Sequence, residues 1–315
     1  MKTSGALRAW PLWAVAIPVA VWVTIRLLGL ERGYPLIPMM AFTPYVAVLA
    51  LFTAGIAVAL RNWAAGAVAG AAAICLLAAI VPRTIAGEVA DPAGHETFTV
   101  LSANVHRGTA DPAALVALVD RVEPDLLSIQ ELTPSYEAKL RRAGVYRRLP
   151  NDVLSLHAGA SGAGLFSRLP LRRLPEHARF EFRLPRALAT LPDGRRLRVV
   201  GVHPYPPKNG FIGVWKAALE SLPSAGAGVP WVLAGDFNAT LDQDQLRDVL
   251  GRGYRDAGDV TGKGLEPTWP ARWGVPPYVT IDHVLADSRL GIAAYAVHDV
   301  PGSDHNAVAA ELTLP

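Results

Sequence analysis

The chain has 315 residues, 51% of them hydrophobic and 18% charged, with 26 Pro and 28 Gly; that length suits about two units, and the composition excludes disordered and fibrous proteins. Residues 1 to 90 carry six basic and two acidic side chains and the remainder 24 and 25, so a basic nucleic-acid-binding domain is not indicated. The single cysteine, Cys75, lies in an apolar run, which leaves neither a disulfide framework nor a cysteine-based zinc site.

Three apolar stretches come first, residues 11–30, 39–60 and 63–81, each near the ~20 residues that cross a hydrocarbon core of ~30 Å. Consecutive helices that are apolar on every face suit lipid better than a soluble core. Arg26 is the one interior charge, and from its place four residues before the end of the first stretch its stem reaches the headgroups. A cleavable signal peptide fits less well, because no small-x-small site follows Leu30. Residues 1–81 therefore read as a multi-pass module of the cell membrane. If the spans alternate, Lys2, Arg8 and Arg61 share one face, and the positive-inside rule makes that face cytoplasmic. The N-terminus is then cytoplasmic and everything after Val81 extracytoplasmic, although Arg32 and Arg83 count against it. Trp10, Trp13 and Trp63 would mark the inner aromatic belt and Tyr34 the outer one. Gly66 and Gly70 form a small-xxx-small pattern that so Ala- and Gly-rich a stretch produces by chance.

Residues 82–96 combine Pro, Gly, Asp and Glu without an apolar period and read as a linker. From 97 to 315, short β-like runs (FTVLSANV, LLSIQ, AGLFS, RLRVVGVH, WVLAGD, YVTIDHVL) alternate with amphipathic helical runs, an α/β pattern. Asp111–Pro112 and Thr133–Pro134 each set a capping side chain before a proline at the first helical position.

Polar residues interrupt these runs at their ends: Asn104, Glu131, His203, Asp236, Asn238, Asp282 (read as mid-strand), Asp304 and His305. Strand ends of α/β sheets can aim such groups at one point. Taken singly, Asn104, Glu131 and His203 also suit turns or loops, and Asp236 and Asn238 suit a turn cap, although an Asp and an Asn two apart after an apolar strand point to one face. An Asp inside a strand suits neither and wants a partner such as a histidine. Carboxylates of Glu131, Asp236 and Asp304 with amides of Asn104 and Asn238 suit Mg²⁺ or Mn²⁺ shared with a phosphate. Two histidines add a proton acceptor and a donor, which together make an apparatus for hydrolysing a phosphoryl ester or anhydride.

In order, SANVHRG, LLSIQEL, GVHPYPP, LAGDFNAT, TIDHVL and GSDHNAV resemble the endonuclease/exonuclease/phosphatase superfamily across nearly all of residues 97–315. The resemblance implies a DNase I-like four-layer α/β/β/α sandwich, here preceded by an all-α three-helix transmembrane module. By position it makes Asn104, Glu131 and Asp304 metal ligands, has Asp236 and Asn238 position water and phosphate, pairs His203 with His305, and has Asp282 orient His305. It supplies no acidic partner for His203. Three spans before such a domain are also similar to membrane-bound, VanJ-type teicoplanin-resistance phosphatases, which implies a lipid-linked pyrophosphate such as undecaprenyl pyrophosphate. The alternatives are a membrane-tethered nuclease, disfavoured by the charge balance despite paired arginines such as Arg141–Arg142; a sphingomyelinase- or phospholipase C-like phosphodiesterase; and a non-catalytic binding protein, which a complete motif set disfavours. Trp269 and Trp273 read either as cover for an apolar part of the substrate or as packing.

Overall fold

The computed structural model describes residues 6–175, 182–271, 274 and 276–315. Helices α1 (Ala6–Leu28), α2 (Leu36–Met39), α3 (Thr43–Ala59) and α4 (Trp63–Ile80) come first. Three segments are long and apolar enough to cross a membrane: Trp10–Leu28, Leu36–Ala59 and Trp63–Thr84. Ile17, Val21, Phe52, Ile56 and Ile74 face outward, each at least half exposed, while Ala50, Ala57, Ala65, Ala69 and Ala73 are buried between helices. Small residues inside and large apolar ones outside invert the usual arrangement of a protein in water and match packing in lipid. Of the two spaced glycines only Gly66 meets a neighbour, where an added Cβ would lie 3.4 Å from Val58 Cγ2; Gly70 faces open space. The turn between α3 and α4 is closed by Arg61 at φ 59° and by Asn62, whose side chain accepts from Ala65 N.

The stretch read as a linker is stitched to the domain that follows. Gly87 N donates to Val260 O, Ala90 N to Ile292 O, and Gly264 N to Arg83 O. Its lack of apolar period hides this, because the bonds are made by backbone groups that leave no mark on the sequence.

The strands are β1 (Thr97–Asn104), β2 (Leu126–Gln130), β3 (Asn151–Ser155), β4 (Ala163–Ser167), β5 (Leu171–Arg173), β6 (Arg186–Thr190), β7 (Arg196–Val202), β8 (Trp231–Asp236), β9 (Tyr254–Asp256), β10 (Asp282–Asp287), β11 (Gly291–His298) and β12 (Ala307–Thr313). Between them lie α5 (Pro112–Val122), α6 (Pro134–Ala143), α7 (Ile212–Glu220), α8 (Asp244–Leu250) and α9 (Ala257–Val260). Asp111 and Thr133 cap α5 and α6 through Ala113 N and Tyr136 N, with proline next in line.

Two six-stranded sheets form, in the orders β11-β12-β1-β2-β4-β3 and β5-β6-β7-β8-β10-β9, each with one parallel pair (β1/β2 and β7/β8) at its centre. Alternation along the strands builds the layers. Val100 and Leu126 face Val199, Val232 and Val284 in the cluster between the sheets. Their neighbours Leu101 and Leu127 turn the other way, onto Leu115 and Tyr136 of α5 and α6. Likewise Val200 and Leu233 turn onto Trp215 of α7 and Leu246 of α8. The result is the four-layer α/β/β/α sandwich. Asp282 proves to be the first residue of β10, not a mid-strand residue: it pairs in register with Asp236, the last residue of antiparallel β8, so both carboxylates stand at one rim.

Candidate active site

The rim carries a pocket of about 490 Å³ lined by His106, Arg107, Glu131, His203, Asp236, Asn238, Trp269, Asp304 and His305, among others. Asn104 and Asp282 stand just behind it, hydrogen-bonded to Asp236 and His305, so all eight residues singled out in the sequence come together. Asn104 ends β1, Glu131 follows β2, His203 follows β7, Asp236 ends β8 and Asp282 begins β10. The parallel central pairs bring these ends to the same edge.

Asp236 is the hub. It accepts from Asn104 Nδ2 at 3.2 Å and from Asn238 N at 2.8 Å. The ring Nε2 atoms of His203 and His305 lie 3.7 and 3.8 Å from its Oδ2. Asn238 also donates through Nδ2 to Pro204 O at 3.2 Å, tying the loop after β8 to the proline loop after His203. Ser303 Oγ donates to Asn104 O and accepts from His305 N, fixing the last motif against the first. Backbone strain concentrates here. Of six non-glycine residues with positive φ among those described, His106, Arg107, Glu131 and Asn238 line this pocket. Each such residue other than Asn costs of order 1–3 kcal/mol, a cost retained where it aims a side chain.

Electrostatics divides the two histidines. Burial pulls the His305 imidazole down, but the carboxylates of Asp282, 2.9 Å from Nδ1, and Asp236 outweigh it and raise it to about 10. His203 is lowered to about 3 by burial and by the charge on His305, and its ring is neutral. Burial, with Asp282 adding to it, raises Asp236 to about 7 against the pull of His305. Burial also raises Glu131. No carboxylate pairs with His203 Nδ1 among the described residues; the acids near this ring are Asp236 and Glu131, 3.7 and 3.9 Å from Nε2.

A divalent cation fits these donors. Glu131 Oε2 is buried without a hydrogen-bond partner, and its nearest cation is Arg107 Nε at 3.8 Å. Such an orphaned hard oxygen, beside the amide of Asn104, suits an ion that keeps waters. Ligand atoms of Asp236, Asp282 and His305 also lie within 4.8 Å of one another, a spacing an ion can bridge.

Several pocket residues were not singled out in the sequence. His106 Nδ1 lies 3.4 Å from Asp304 Oδ1, and Arg107 reaches Glu131. Both sit within SANVHRG, where the signal was present but read only through its asparagine. Phe182 meets the His203 ring edge-on at 5.1 Å, Tyr205 meets Phe182 at 5.0 Å, and Phe211 stacks on Tyr205 at 4.1 Å. Trp269, which the sequence did single out, lines the pocket, donates from Nε1 to Asp304 Oδ2 at 3.4 Å, and is tilted toward His305. Trp273 lies outside the described residues.

The sandwich and its buried Asp/His cluster define a phosphoesterase with candidate catalytic metal-site residues. This chain belongs to the endonuclease/exonuclease/phosphatase family, whose sequence profile matches residues 101–305. No curated protein matches it. Among solved structures it is similar to an endonuclease/exonuclease/phosphatase from Beutenbergia cavernae (19% identity, 69% of this chain and 72% of that one, TM-score 0.52). It is also similar to D. rerio TDP2 complexed with single strand DNA product (20%, 69% and 99%, 0.54) and to a Bacteroides vulgatus endonuclease/exonuclease/phosphatase (15%, 70% and 100%, 0.54). These likenesses carry the fold; none of them carries the narrower similarity to teicoplanin-resistance phosphatases.

Proposed function

We propose that this protein is a multi-pass enzyme of the cell membrane that uses Mg²⁺ or Mn²⁺ to hydrolyse a lipid-linked pyrophosphate, such as undecaprenyl pyrophosphate, at the extracytoplasmic face. The observation that carries this reading is a pocket with two unlike walls on a domain docked to the ends of apolar helices. One wall is the Asp/His cluster; the other is Phe182, Tyr205 and Pro206, continued outward by Phe211. An amphiphile with a phosphoryl head needs both. The topology gains support from Arg83, one of the two arginines that count against it. Arg83 is buried on Asp242, a carboxylate it shares with Arg26, so it is held inside the protein and does not face the headgroups as a free loop charge does.

In this mechanism Asp236, raised toward neutrality by burial, takes the proton of the attacking water. Asn238, fixed by Pro204 O and Asp236, orients that water and a phosphoryl oxygen. The His305 imidazolium, held by Asp282, donates from Nε2 to the charge that develops on the phosphoryl group as the water oxygen bonds to phosphorus and the bridging P–O bond breaks, the lipid monophosphate leaving as an anion. Neutral His203 completes the other side as a hydrogen-bond donor. Asn104, Glu131 and Asp304 would hold the cation, with the buried, unpartnered Oε2 of Glu131 as its hard ligand. When bound there, the ion would supply charge neutralisation at the phosphoryl oxygens.

The test is Mg²⁺-dependent phosphate release from undecaprenyl pyrophosphate by the detergent-purified protein, beside plasmid DNA and sphingomyelin, with Asp236→Ala and His305→Ala as controls. Release that both substitutions abolish supports the reading. Nicked DNA or cleaved sphingomyelin, lost in the same variants, replaces the lipid pyrophosphate with a phosphodiester. Tyr205→Ala is expected to raise KM about tenfold for the lipid and little for a soluble ester.

A further inference from the structure

Polar groups from five separate parts of the helical module close on two loops of the catalytic domain. The first loop follows Asp236. Its Asp242, 2% exposed, accepts from Arg26 Nε of α1 at 2.9 Å and from both terminal nitrogens of Arg83, beyond α4, at 3.0 and 2.9 Å. Gln243 Nε2 donates to Ile37 O of α2, and the amide of Asp244 donates to Glu31. Ile37 itself is packed in the apolar cluster around Trp215 and Phe237.

The second loop is a strap formed, among the described residues, by 267–271 and 276–281. Tyr45 Oη, on the first turn of α3, accepts from Tyr278 N at 2.6 Å and donates to Tyr278 O at 3.0 Å. The opposite arm of the strap touches the site. Thr268 Oγ1 accepts from the amides of Ile281 and Asp282, Trp269 donates to Asp304, and Ala271 N donates to Asp304 O.

A passive anchor needs one covalent connection and nothing more. Here the module grips the two loops next to Asp236, Asn238, Asp282 and Asp304, and one grip buries two guanidiniums on one carboxylate. Buried charges hold their partners in a fixed geometry, because any displacement leaves an uncompensated charge out of water. We infer that the membrane helices are a positioning element of the active site, acting through Asp242 and Tyr278 as attachment points. Turnover then depends on the helices even for a substrate that never enters the bilayer, whatever the natural substrate is.

The test uses the full-length protein in detergent, as wild type, Tyr45→Phe and Asp242→Asn. Amide hydrogen exchange is followed by mass spectrometry, together with Mn²⁺-dependent hydrolysis of water-soluble bis(4-nitrophenyl) phosphate. Asp242→Asn is expected to speed exchange over residues 237–243 about tenfold, and Tyr45→Phe to do so over 268–282, with β1, β2 and β7 unaffected. In both variants kcat per folded molecule falls and KM holds, as misplaced catalytic groups require; a smaller folded fraction lowers only the rate counted per total protein. Wild-type exchange in both segments overturns the inference, as does faster exchange with kcat per folded molecule unchanged. Should Asp242→Asn not fold, Tyr45→Phe decides alone; should the diester not be cleaved by wild type, kcat is read on whichever substrate the assays above identify.

Discussion

Two buried histidine–aspartate pairs stand back to back across β10. Asp282 and His283 are neighbours in the strand and so point to opposite faces. On one face Asp282 holds Nδ1 of His305 at 2.9 Å and leaves its Nε2 directed at Asp236 and the pocket. On the other, His283 spends both ring nitrogens, Nδ1 on Asp256 at 2.8 Å and Nε2 on Ala239 O at 2.9 Å. Burial opposes charge on both rings, and in both the paired carboxylate wins and raises the imidazole. The chemistry of the pairs is the same, and the second ring nitrogen separates their roles. Where it is free the pair can act on a substrate; where it is bonded the pair ties the loop after Asp236 to the sheet.

The largest effect that follows is on catalysis at the first pair. His305→Ala is expected to lower kcat about 10²–10⁴-fold while the protein stays folded, measured by steady-state kinetics on whichever substrate the assays above identify. A variant with near wild-type kcat would sink the assignment of His305. Asp256→Asn should do the reverse. It leaves the His283 charge buried and unpaired, and is expected to cost about 3–5 kcal/mol in chemical denaturation with a far smaller change in kcat of the folded fraction. If it removed kcat without destabilising the fold, the division between the pairs would break.

A third effect is on stability against pH and sharpens the contrast. His305 is raised from 6.5 when unfolded to about 10 when folded. The folded state therefore binds its proton more tightly, and that contribution is complete below about pH 6.5 and lost as pH rises through about 10. In EDTA, the melting temperature should fall over this window, and Asp282→Asn should flatten the fall. An unchanged slope in that variant would place the proton elsewhere.

Much of this was legible in the sequence. The apolar spans announce themselves because lipid demands apolar residues on every face. GDFN and SDH are legible because a turn at a strand end holds its polar side chains close together in sequence. Which layer each residue of LLSIQ or WVLAGD faces could not be read, since strands buried on both faces lose their period. The same loss moved Asp282 into the middle of a strand. His106 and Arg107 were passed over because only their left-handed backbone turns them into the pocket.

By itself, then, the sequence determined the family, the apolar module, and the identity of the eight polar groups, because each is written in a local run of residues. Tertiary structure alone decided which histidine carries the charge, since that rests on burial and on carboxylates 23 and about 70 residues away. It also decided that Arg26 and Arg83 serve one buried Asp242, across sequence separations of 216 and 159 residues that no local pattern records. Pairwise contacts between distant residues depend on the packing of whole layers, and only the folded chain brings the partners within reach.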